Sequence, residues 1–222
     1  MRGETHRGFP TFVKGMSDML RISHYILETK VLGPYVRSAI WVNGCCFNCR
    51  GCIAEEMNSQ TPTRIDIDKL IGIFSGIKTC EGITISGGEP FLQAGTLFKM
   101  IKGIKKKRDY GVIVYTGFTL DELRSKSDTE IDRFLSEIDI LIDGRYQDNL
   151  DDGKPFRGSS NQRIFLLTDR YKQVYNEYYY GHGKRDIEIR VEQDKVYMIG
   201  VPSQYGLQTW KDLKKRAEGN VK

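Results

Sequence analysis

Five short runs rich in β-branched residues recur along the chain: "SAIWVNG" at 38–44, "GITISGG" at 82–88, "GVIVYTG" at 111–117, "IDILIDG" at 138–144 and "RIFLLT" at 163–168. Each of the first four ends in glycine. Amphipathic segments near 66–78, 91–107, 119–136 and 169–179 alternate with them, the third reading as two short helices. That alternation predicts βα units around a parallel sheet, fold class α/β. The runs are almost continuously apolar, as strands covered on both faces should be. A complete eight-unit barrel takes about 250 residues, so a chain of this length predicts an incomplete, partial TIM-type barrel of about five or six units. In such sheets the chemistry sits beyond the carboxyl ends of the strands. The unusual sequence is found there: a cysteine loop after Val42, "SGGEP" after Ile85, "YTGFT" after Val114 and "DGRY" after Ile142.

After Gly181 the pattern changes to two alternating runs around Glu192, Gln193 and Asp194, which predicts a C-terminal β-hairpin. "TWKDLKKRAEGN" then reads as a basic closing helix. The net charge of +5 is spread along the chain and argues against a nucleic-acid binder. Its densest run, Lys105 to Arg108, follows an apolar helical stripe, where cations at a helix C-terminus are favoured by the macrodipole. The first fifteen residues hold no signal-peptide core, and no run reaches the roughly 18 apolar residues of a membrane span. A cytoplasmic protein is expected.

In "GCCFNCRGC", residues 44–52, four of the five cysteines fall together. Disulfides fit poorly with a reducing cytosol and an odd total. A structural zinc would normally recruit a second ligand pair, yet His6, His24 and His182 are isolated, and Cys80 ends an apolar helix pattern as a buried hydrophobe would. Zinc held by Cys45, Cys46, Cys49 and Cys52 stays open beside an iron-sulfur cluster.

Cys45, Cys49 and Cys52 spell C-x3-C-x2-C, and here the chain resembles the radical S-adenosylmethionine (SAM) superfamily. The resemblance implies a 4Fe-4S cluster held through three irons, the fourth left open for SAM, with Cys46 a spectator; the rival register, Cys46, Cys49 and Cys52 as C-x2-C-x2-C, fits the superfamily spacing less well. Gly87, Gly88, Glu89 and Pro90 resemble the segment that receives the SAM amino group. The glycines allow close approach, Glu89 supplies a carboxylate and Pro90 fixes the turn. "VYTGFTLDEL", "DILIDGRY" and "FRGSSNQRI" resemble successive signatures of the anaerobic ribonucleotide reductase activating proteins, which are glycyl-radical activating enzymes. By that resemblance Thr116 and Gly117 border SAM, and Asp143, Ser159, Ser160 and Asn161 complete the rim around its nucleoside. It also implies a glycyl-radical protein as partner and a low-potential electron donor, flavodoxin or ferredoxin.

Two departures stand out. Gly51 precedes the last cluster cysteine where many superfamily members carry an aromatic that contacts adenine. The tail beyond about residue 169, with Tyr175, Tyr178, Tyr179 and Tyr180, exceeds what compact activators carry, and keeps open an enzyme acting on a small molecule, peptide or RNA base. A non-enzymatic cluster or zinc scaffold would leave GGEP without a purpose. The organisation expected is an N-terminal extension (1–29), a radical SAM core (30–168) and a C-terminal extension (169–222) packed on the core.

Overall fold

The structure, a computed structural model, describes residues 18–177, 185–192 and 195–219. His6, Tyr178, Tyr179, Tyr180, His182, Gln193 and Asp194 lie outside the described residues. Seven strands form one open sheet: β1 (Met19–Thr29), β2 (Arg37–Val42), β3 (Thr63–Asp66), β4 (Gly82–Gly87), β5 (Gly111–Tyr115), β6 (Ile140–Asp143) and β7 (Arg163–Leu166), in the order β3-β1-β2-β4-β5-β6-β7. Strands β2, β4, β5 and β6 run parallel. The class is α/β as expected, and the sheet does not close on itself.

The parallel part has four strands rather than five or six units, because β7 pairs antiparallel with β6. The physical reason lies in the connection. A parallel return needs a crossover, usually a helix, and between β6 and β7 there is only a 3-10 turn at Asp148–Leu150. At the other end, β1 pairs antiparallel with both β2 and β3, so residues 19–29, assigned above to an N-terminal extension, lie inside the sheet.

The helices are α1 (Glu55–Ser59), α2 (Ile67–Gly76), α3 (Ala94–Lys105), α4 (Leu120–Ser125), α5 (Thr129–Leu135), α6 (Lys172–Asn176) and α7 (Gln204–Gly219). Asp66 caps α2, Thr119 and Glu122 form a capping box on α4, and Asp128 caps α5, each side-chain oxygen satisfying N–H groups that an N-terminus leaves open. Lys102 and Lys105 in the last turn of α3 pair with Glu137, a local use for the basic run.

Alternate strand residues face two different environments. Ile40, Val42, Ile83, Ile85, Val112, Val114 and Leu141 are buried against α2, α3 and α5, including Phe74, Met100 and Phe134. On the opposite face Ile113, Ile140 and Ile142 meet Phe156 and Tyr171, while Ala39 meets Leu32 and Ile199. Ile199 belongs to the hairpin β8 (Ile187–Glu192) and β9 (Lys195–Gly200), so the C-terminal segment covers a face that the α/β helices leave bare. At the amino ends of the strands, the buried Arg37 guanidinium donates to Glu81 at 2.9 Å, the Tyr171 hydroxyl at 2.7 Å and Thr84 at 3.0 Å. That end is pinned shut, and the space for a ligand is at the other.

Candidate functional site

Beyond the carboxyl end of β2 the chain enters the cysteine loop. Asn43 fixes its stem: the Nδ2 group donates to Ser23 Oγ at 3.0 Å and to the carbonyls of Met57 at 3.0 Å and Gln60 at 3.2 Å. Within the loop the Phe47 N–H donates to Cys45 Sγ, the Cys52 N–H to the Cys49 carbonyl, and Gly51 takes φ +72°. Cys45, Cys49 and Cys52 line one cavity with Gly87, Gly88 and Glu89. Cys46 is exposed and stands outside that lining, and Cys80 is buried far off against the Leu27 carbonyl. The three cysteines face the cavity without being gathered round a point. Among the described residues no three His, Cys, Asp or Glu side chains could hold a single metal ion.

The glycines of GGEP are explained by the approach of β4 to that loop. Gly87 has φ +105°, and a Cβ there would stand 2.4 Å from the Val42 carbonyl oxygen. One on Gly88 would stand 2.1 Å from that of Gly44. The flush contact lets Gly88 N–H donate to Val42 O and Glu89 N–H to Gly44 O, both at 2.8 Å. Pro90 is buried at the first position of a 3-10 turn, Pro90–Gln93, and does not reach the cavity.

Glu89 is fully buried and joins two strand ends. Its carboxylate accepts from Phe91 N–H at 2.9 Å, Thr116 Oγ1 at 2.8 Å and Gly117 N–H at 2.8 Å. Burial outweighs those three donors and pushes its pKa up to about 7. Cys45 and Cys46 respond in the same sense: burial first, then the charge of Glu89, raises both, Cys45 up to about 11 with the charges of Cys46 and Cys52 added, and Cys46 against the opposing charges of Lys126 and Arg145. Cys52 is raised by burial and Cys49.

The far wall comes from β5, β6 and the loop after β6. Thr116 and Gly117 line the cavity, and a Cβ on Gly117 would meet the Phe47 ring at 2.5 Å. Asp143 does not line it. Its buried carboxylate is taken by Leu120 N–H at 2.6 Å and by Arg163, whose Nη2 lies 2.6 Å away. Ser159 accepts from Gln147 N–H, Ser160 is exposed, and Asn161 donates to the Arg145 carbonyl, so these three also build the loop rather than the wall. The wall itself is Gly144, Tyr146, Gly158 and Gln162. Gln162 accepts from the N–H groups of Gly158 and Ser159 and donates to the Gly144 carbonyl, closing the loop on itself. Tyr146 and Gln162 stand inside the quoted segments without having been singled out. Tyr146 lies beside Gly51, where a Cβ would come within 3.7 Å of its ring, so an aromatic group reaches that corner from the loop after β6.

Residues 31–165 match the family model of the 4Fe-4S single cluster domain. The anaerobic ribonucleoside-triphosphate reductase-activating protein of Pasteurella multocida is 34% identical over 147 residues, 62% of this chain and 92% of that protein. The protein of the same name from Salmonella typhimurium is 31% identical over 157 residues, 67% of this chain and 99% of that protein. The chain belongs to this activating-protein family. A more distant member, from Enterobacteria phage T4, is 28% identical over 148 residues, 63% of this chain and 89% of its own length. About two thirds of the chain therefore spans nearly the whole of each relative. Among the described residues no helix is long and apolar enough to cross a membrane.

Proposed function

We propose that the chain is a radical SAM enzyme that installs a glycyl radical on a partner protein, an anaerobic ribonucleoside-triphosphate reductase. The observation that carries this is the convergence on one cavity of Cys45, Cys49 and Cys52 with Gly88, Glu89 and Thr116. Three thiols and an open corner suit a 4Fe-4S cluster, whose ligands bind separate irons and need not meet at one point. A 4Fe-4S cluster held by these cysteines would supply the one electron for reductive cleavage of the sulfur–C5′ bond of SAM, chemistry that yields methionine and a 5′-deoxyadenosyl radical. The residues of the chain hold and orient. Cys45, Cys49 and Cys52 hold the iron. A carboxylate has about four acceptor positions, and Glu89 spends three on Phe91, Thr116 and Gly117, leaving one for the SAM ammonium.

Gly87 and Gly88 set that carboxylate against the cysteine loop, with Pro90 fixing the turn behind it. Thr116 and Gly117 border the methionine and ribose, while Asp143, Ser159, Ser160 and Asn161 support the nucleoside end by holding the loop that carries Tyr146 and Gln162. The electron comes from flavodoxin or ferredoxin in the cytoplasm. The open sheet serves as an incomplete barrel, a core over 30–168 completed by β1 between β2 and β3, with the segment from 169 packed on it as a C-terminal extension. Anaerobic electron paramagnetic resonance on a mixture of the reconstituted chain, SAM, dithionite and the reductase from the same genome tests this. A glycyl doublet on the reductase is expected. Its absence, with SAM still cleaved, would transfer the proposal to a small-molecule, peptide or RNA substrate.

A further inference from the structure

The face of the sheet that α2, α3 and α5 leave bare is where Trp41, Ser86 and Tyr115 reach the cavity. The hairpin β8–β9 covers part of it. Ile199, 2% exposed, sits with Ile26, Leu32 and Ala39, and Tyr197 stacks on His24 with ring centroids 4.2 Å apart. Ties at two distant places hold the hairpin. Beside β1, Glu188 accepts from Thr29 Oγ1 at 2.8 Å. In the loop between β6 and β7 the Arg185 guanidinium, 4% exposed, pairs with Asp151 at 2.8 Å and donates to the carbonyls of Lys154 at 2.9 Å and Gly158 at 3.3 Å. It also reaches forward to the Pro202 carbonyl at 3.2 Å, fixing the chain just after β9. Gly200 and Val201 are thereby set into the cavity wall with Leu32 and Trp41. The family model ends at residue 165, so Gly200 and Val201 lie outside the matched domain.

We infer, resting on the function proposed above, that the C-terminal hairpin is the substrate-facing wall of the radical site, and that Val201 sets how wide a polypeptide segment can reach it. The strip is uncharged: Gly200 has no side chain and takes φ +123°, and Val201, Leu32 and Trp41 are apolar. A charged segment laid there would lose its hydration without gaining a partner, whereas a glycine-containing backbone loop is thin and neutral. On such a loop the hydrogen atom passes from the glycine Cα to C5′. One C–H bond breaks and one forms, leaving 5′-deoxyadenosine and an unpaired electron on the glycine.

The test compares the full reconstituted chain with Val201→Trp and Val201→Ala, under dithionite, by two readouts: 5′-deoxyadenosine formed without partner, and the glycyl doublet formed on the reductase from the same genome. Val201→Trp should lower the doublet at least about tenfold more than it lowers partner-free cleavage, and Val201→Ala should leave the ratio of the two readouts within about twofold of the parent. Equal losses in both readouts would place Val201 in the SAM pocket and overturn the inference, as would no loss in either. If Val201→Trp cannot hold its cluster, Val201→Leu carries the same comparison with a smaller increment of volume. A parent chain that cleaves SAM but raises no doublet overturns the assignment of a polypeptide to this wall. One that cleaves no SAM overturns the proposed function beneath it.

Discussion

Replacing Cys45, Cys49 or Cys52 by alanine is expected to abolish the visible absorbance and the iron content of the anaerobically reconstituted protein, while Cys46→Ala and Cys80→Ala keep both. The separation follows from geometry. The first three line the cavity, Cys46 is exposed outside it, and Cys80 is buried between Ser38 and the Leu27 carbonyl. Three thiolates are the minimum for a cluster that leaves one iron open, so each single loss takes the set below that minimum. Burial first, and then neighbouring cysteines, hold the Cys45 and Cys52 thiols protonated, and so ligation releases protons. Cluster assembly should accordingly go further at pH 8 than at pH 6. Retention of iron by Cys45→Ala together with its loss in Cys46→Ala would shift the ligand set by one residue.

Glu89→Gln should weaken SAM binding by about 10- to 100-fold while leaving the iron content intact, because a charge-assisted hydrogen bond to an ammonium contributes roughly 1.5–3 kcal/mol. The amide keeps the shape but lacks the charge, and its NH2 faces the Gly117 N–H or one of the other two donors. The pH dependence has a definite sign. Burial raises Glu89 from 4.5 to about 7, so the fold favours the protonated acid and ligand-free stability falls as pH rises across that window. A bound cation favours the carboxylate. SAM affinity of the parent protein should therefore rise with pH through 7 and level off above it, and the Glu89→Gln profile should be flatter there. Equilibrium dialysis with labelled SAM across pH 6 to 8 checks this, and parallel profiles would remove Glu89 from the ammonium.

Much of this was legible in the chain because it is local. The strand runs, the glycines that end them and the paired short helices at 120–135 are each set by neighbours a few residues away, and so are C-x3-C-x2-C and GGEP. Strand β1 was not legible. Register breaks between Ile22 and His24 and between Ile26 and Thr29 spoil the alternation by which a strand is recognised. β3 is four residues of mostly exposed, polar edge, as edges that avoid aggregation should be. The direction of β7 depended on the missing crossover, not on the composition of "RIFLLT". In the site, Asp143 and Ser159, Ser160 and Asn161 of "GSSN" support the loop that carries Tyr146 and Gln162 and do not line the cavity. Arg163 lies twenty residues from the carboxylate it occupies, and only the folded chain shows that Gly144, Tyr146, Gly158 and Gln162 face inward. Gly200 and Val201 carry no local signal at all. They reach the cavity because Arg185 and Glu188 tie the hairpin to distant parts of the fold.

The most direct measurement is the fate of SAM on the reconstituted chain, reduced with dithionite under strict anaerobiosis and without partner, followed by chromatographic quantitation. Methionine and 5′-deoxyadenosine should appear in equal amounts, and neither should form without reductant or in Cys49→Ala. Intact SAM after incubation with protein carrying its full complement of iron would contradict the account.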